Sequence, residues 1–96
     1  MISPSIGRVV WFTPAVHGDP RHDVKQPLAA LVAYVWNDRL INLATFNQNG
    51  VPLGGMTSVP LLQDDDTKPE GGYFASWMPY QVDQAKKYSQ AKKYPA

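Results

Sequence analysis

The sequence predicts an all-β fold: a small five-stranded SH3-like antiparallel barrel with a short C-terminal helix or basic tail. Three observations lead there. Residues 27–59, PLAALVAYVWNDRLINLATFNQNGVPLGGMTSV, carry apolar side chains in strand-length runs rich in β-branched and aromatic residues. Turn formers break those runs at short intervals, with nine Pro and seven Gly in 96 residues. Gly54-Gly55 inside a strand pattern marks a bulge or sharp bend, which lets a small sheet curl and close. An OB-like barrel or a small sandwich is the alternative.

The first predicted strand is Ile6–Thr13, stopped by Pro14, which has no N–H to extend a ladder. Residues 15–26 form a long polar loop with both histidines. The second strand, Leu28–Trp36, is almost unbroken in apolar character and too short for a membrane span. Asn37-Asp38-Arg39 turns the chain. Leu40–Phe46 then alternates, with Ile41, Leu43 and Thr45 on one face and Asn42, Ala44 and Phe46 on the other. Asn49-Gly50 predicts a tight primed hairpin turn, which needs positive φ at both central positions. A bent fourth strand runs from Val51 to Leu62, and Gln63–Gly72 reads as a polar loop. Tyr73–Met78 is a short fifth strand ending at Pro79.

These strands make residues 1–80 one barrel domain, and residues 81–96 a Lys/Tyr-rich helix or tail. Gln81–Tyr94 has helix formers and carries QAKKY twice, at 84–88 and 90–94. A spacing of six fits neither a straight helix nor a heptad, which leaves Val82, Ala85 and Tyr88 as one thin apolar face.

Composition narrows the function classes. With 44% hydrophobic and 18% charged residues, the chain belongs with globular domains. It has no cysteine, so disulfides, thiolate nucleophiles and Cys-based zinc sites are excluded. The N-terminus lacks the basic start and apolar core of a secretory signal, and no membrane association is expected. The net charge is +1, so strong nucleic-acid binding is not expected. Charge is uneven: residues 83–96 carry four Lys against Asp83, whereas the body is mildly acidic.

No catalytic set emerges. His17, Asp19, His22 and Asp23 share the first loop without the spacing of known metal motifs, and no metal or other cofactor is expected. Asp64-Asp65-Asp66 lacks the spacing and the glycine of a calcium loop and reads as a solvated acidic turn. Ser58 has neither a nucleophile elbow nor a clear base. The chain reads as a non-enzyme.

The motifs IGRVVWFTP, PLAALVAYVWND, INLATFNQNG, TSV and the terminal WMP resemble a widespread family of small, uncharacterised proteins of tailed bacteriophages. The match spans residues 6–79 in order, with Arg8, Trp36, Asn42, Thr57, Ser58, Val59, Trp77 and Pro79 on recurring positions. The first loop is shorter than in many members, and the Lys/Tyr tail departs from them. The resemblance implies a phage accessory protein, in the cytoplasm of the infected bacterial host or in the virion. It implies no activity.

The aromatic residues point to binding. Trp11-Phe12 and Tyr73-Phe74 are adjacent pairs that must face opposite sides of a strand. Some large rings therefore lie outside a core this small, where they cover a loop, meet another subunit or stack on a ligand. A homo-oligomer is expected, with Trp11, Phe12 and Trp36 at the contact. Arg8, Trp11, Trp36, Tyr73 and Trp77 are the candidate ligand-binding residues, for a nucleotide-like anion held between subunits. Arg8 is favoured over Arg39, which sits in a turn and reads as solvated. The leading functional reading is a phage accessory protein that sequesters a host nucleotide immune signal. The alternatives are a virion cement or head–tail component and a nucleic-acid-binding barrel.

Overall fold

The computed structural model describes residues 1–15 and 26–93, with helix side chains through residue 87. Five strands close into a barrel in sequence order: β1 (Val9–Thr13), β2 (Leu28–Asn37), β3 (Leu40–Phe46), β4 (Pro52–Leu62) and β5 (Phe74–Ser76). A helix, α1 (Pro79–Lys93), follows. The predicted barrel and C-terminal helix are both present. Neighbouring strands are antiparallel except β4 and β5, which pair in parallel at Leu61–Ala75 and Leu62–Ser76. The polar connection over residues 63–73 carries the chain back to the level of Leu61, so that β5 enters in the same direction as β4. β5 then pairs antiparallel with β1 and shuts the barrel.

The core follows from strand alternation. Val10 and Phe12 of β1, Leu28, Ala30 and Val32 of β2, and Ile41 and Leu43 of β3 all point inward. Val59, Leu61, Ala75 and Trp77 complete it. On β3 the inward face is Ile41, Leu43 and Thr45, as the sequence alternation predicts. Thr45 is buried with its hydroxyl donating to the Gly54 carbonyl at 3.3 Å, so the polar group is satisfied.

Four register shifts interrupt the ladders, two between β2 and β3 and two between β3 and β4, and two of them bear on the outer face. In β2 the register slips between Val32 and Tyr34 against consecutive residues of β3. The extra residue is Ala33, after which Val35 turns inward and Tyr34 and Trp36 turn out. In β4 the register slips opposite Asn42, where Ser58 adopts φ +54°.

The β3–β4 connection differs from the predicted primed turn. Gly50 has φ +80°, but Asn49 does not have positive φ. The turn is Asn47–Gly50, closed by Gly50 N–H donating to the Asn47 carbonyl at 2.9 Å. Asn47 is the reason: its Oδ1 accepts from the amides of Asn49 (2.8 Å) and Val51 (2.9 Å) and moves the turn towards β3. Only Gly50 then needs the left-handed conformation. A Cβ there would meet no atom within 4 Å, so Gly50→Val is strained by its backbone alone. The expected loss is about 1–2 kcal/mol in a urea titration; an unchanged midpoint would refute the turn.

The first strand starts at Val9, later than its apolar run, because Gly7 at φ +90° bends the chain. The β1–β2 ladder still reaches back, with Gly7 N–H on Val32 O and Val32 N–H on Arg8 O. At the far end Pro79 opens α1, where its missing N–H costs nothing. Met78 caps that helix: its N–H donates to Gln81 Oε1 at 2.8 Å. Gln81 Nε2 donates in turn to Val9 O, which ties the first turn of α1 to β1. Val82 and Ala85 are half-buried; the side chain of Tyr88, the third residue of the predicted face, lies outside the described set.

Candidate functional site

The sequence-predicted binding residues fall in three places. Arg8 and Trp77 meet at one end of the barrel. Arg8 precedes β1, and its guanidinium lies 4.9 Å from the centroid of the buried Trp77 ring. No carboxylate of the described residues is in ion-pair range of it. Tyr73 packs against Phe12, with ring centroids 6.2 Å apart. Trp11, half-buried and paired across the sheet with Ser76, and Trp36, exposed, lie on the outer side of the sheet.

Phe12, expected at a subunit contact, is only 5% exposed and belongs to the core. Alternation in β1 places it inward beside Val10 and sends Trp11 out. Arg39, read as solvated, is instead paired: its Nε and Nη2 reach the two carboxylate oxygens of Asp66 at 2.9 and 3.4 Å. The loop closure that brings residue 66 beside the β2–β3 turn has no local sequence signal. The residues His17, Asp19, His22 and Asp23 lie outside the described set.

The residue the sequence reading missed is Gln63. Taken as the first residue of a polar loop, it is 2% exposed. Its Oε1 accepts from Ile2 N–H and Trp77 Nε1–H, and its Nε2 donates to the carbonyls of Ile2 and Asp38. All four bonding positions of one amide are used. Beside this knot lies a cavity of about 320 Å³, lined by Ile2, Trp77, Val82 and Ala85 with Asp64 and Lys86 at the rim.

Asp66 adds a pH-sensitive strap. The hydrogen bond from Arg39, then that from Gln63 N–H, holds its carboxyl below the ordinary carboxylate value. A lowered folded-state pKa gives stability that is fully present above the unfolded value and lost as pH falls through the folded one. Acidification below about pH 4 should therefore weaken the fold, and Asp66→Asn should flatten this dependence. Urea midpoints of both proteins at pH 7 and pH 3 provide the check; parallel losses would overturn it.

The outer face of the sheet has a different character. None of the five strands carries a charged residue or a histidine. Strand register places Val9 beside Leu31, Leu31 beside Ala44 and Ala44 beside Gly55, which forms an uncharged row across β1–β4. Val9, Leu31, Tyr34 and Trp36 are large, apolar and exposed along this side. At its end Tyr34 and Trp36 meet nearly edge-on, with centroids 4.8 Å apart at 69°.

Comparison with protein-family models, with curated proteins and with solved structures finds no match. Among the described residues no helix is long and apolar enough to cross a membrane.

Proposed function

We propose that this protein is a non-enzymatic binding module that works as a homo-oligomer and holds a nucleotide-like anion between its copies. The observation that carries the reading is the uncharged outer face, where apolar side chains stand exposed along β1 and β2. An exposed sheet face normally carries polar residues, and one without any charge is stabilised by being covered. A second copy supplies a surface of the same kind, which is the self-complementarity a two-fold contact requires. Trp11 and Trp36 remain contact residues in this reading, and Phe12 does not.

The anion part rests on Arg8. A guanidinium stacked on a buried ring keeps its in-plane N–H groups for a phosphate and is already oriented. Arg8 is level with Val32, four residues from Trp36 along β2, or roughly 13 Å at strand spacing. Arg8 lies over Trp77 while Trp36 faces outward, so a ligand touching both an Arg8 and a Trp36 lies between copies. In this reading the protein is a phage accessory protein, as the resemblance over residues 6–79 implies, and the anion it holds is a host nucleotide signal.

Light scattering at micromolar concentration is expected to show an oligomer. Leu31→Lys should give a folded monomer by circular dichroism, because it puts a charge in the middle of the row. A monomeric parent protein overturns the assembly. Calorimetry against cyclic dinucleotides and cyclic ADP-ribose isomers tests the ligand: heat with at least one is expected, reduced by Arg8→Ala. Silence with all of them overturns that part, and high copy number in purified virions would replace it with a structural role in the particle.

A further inference from the structure

We propose that Trp36, Asn42 and Ser58 form a base-reading subsite that selects bases with a carbonyl edge, guanine over adenine. The inference rests on the nucleotide reading above and adds which base is taken and by which atoms.

Trp36 is 56% exposed, yet its indole is held in place. Its Nε1–H donates to Asn42 Oδ1 at 3.0 Å, and Tyr34 braces the ring from the side. An exposed ring already fixed in orientation loses little freedom when a flat ligand stacks on it. The near-perpendicular contact with Tyr34 leaves ring surface open to such a ligand.

The same Asn42 oxygen accepts a second hydrogen bond, from Ser58 N–H at 2.8 Å. Both donors are N–H groups, so the atom they meet is the oxygen and the amide has one orientation. Its acceptor capacity is spent. The two Nδ2 hydrogens point away from these bonds and have no acceptor among the described residues. Asn42 therefore offers a ligand donors only.

Ser58 shows that this arrangement is held against a cost. It is a non-glycine residue at φ +54°, in the β4 bulge opposite Asn42. Backbone of this kind persists where its surroundings over-determine it, and it gathers at ligand sites. Here it directs the Ser58 amide onto Asn42 and leaves the residue exposed.

A stacking ring beside a donor-only amide reads a base by its acceptors. Guanine presents O6 and N7 on one edge, whereas adenine presents an amino group at position 6. The adenine amino group would face the Asn42 amide hydrogens, donor against donor.

Matched pairs test this by calorimetry: cyclic di-GMP against cyclic di-AMP, and inosine 5′-monophosphate against adenosine 5′-monophosphate. The carbonyl-bearing member of each pair is expected to bind about tenfold more tightly. Trp36→Ala should abolish binding, and Trp36→Phe should restore part of it. Asn42→Asp keeps an oxygen for Trp36 and Ser58 but replaces the donors by an acceptor, so the preference should reverse towards adenine. Binding without base preference, or a preference untouched by Asn42→Asp in protein of parental melting temperature, overturns the subsite and leaves the nucleotide reading standing. No binding by any nucleotide overturns both.

Discussion

Replacing Gln63 by Ala is expected to remove about 3–5 kcal/mol of stability. The substitution deletes one amide and strands the Trp77 indole N–H, the Ile2 amide and carbonyl, and the Asp38 carbonyl together. A buried polar group left without a partner costs roughly 1–3 kcal/mol. Water entering beside the neighbouring cavity offsets part of the sum, which keeps the total below a simple addition. A small domain has about 5–15 kcal/mol in all, so the variant should melt far below its parent. Gln63→Met tests the same point with volume kept: it should be destabilised nearly as much, because the loss lies in polar pairing. Guanidinium titrations measure both. A loss under about 1 kcal/mol for either variant would show that the knot is not structural.

Ile41→Ala and Trp36→Ala should differ sharply, although the two residues belong to adjacent strands. Ile41 is fully buried, paired across the sheet with Val35 and Val59. Removing its side chain leaves a cavity and should cost about 2–5 kcal/mol. Trp36 is outside, and its loss forfeits one exposed hydrogen bond and a ring contact, about 1 kcal/mol or less. Uninterrupted alternation from Leu28 would put Trp36 inside, where its loss costs about 3–5 kcal/mol. Chemical denaturation of the two variants thus reads the β2 bulge directly. A Trp36→Ala loss as large as that of Ile41→Ala would refute the outward placement.

The sequence by itself determined the strand count and the apolar interior of β3, because these are local signals; for residues 81–96 it left a helix and a basic tail both open. Alternation at Ile41, Leu43 and Thr45 depends only on the period of a strand, and Pro, Gly and Asn punctuate the chain wherever they occur. It also showed that the barrel cannot hold all of its aromatic rings, since Trp11-Phe12 and Tyr73-Phe74 must diverge. Which ring goes in was decided by tertiary structure. The bulge at Ala33 exists because β2 must keep pairing with β3 while the sheet curves, and it reverses the faces of Tyr34 and Trp36. Gln63 reads as loop polarity until the N-terminal segment, the β2–β3 turn and Trp77 converge on its amide. Arg39 looks solvated until residue 66 is brought beside it. The Asn47 side chain displaces a hairpin turn that the dipeptide Asn49-Gly50 alone would have formed. Except at Asn47, whose partners lie in the same turn, the deciding partner lies on another strand or takes its place only when the chain closes, and a local pattern carries no term for it.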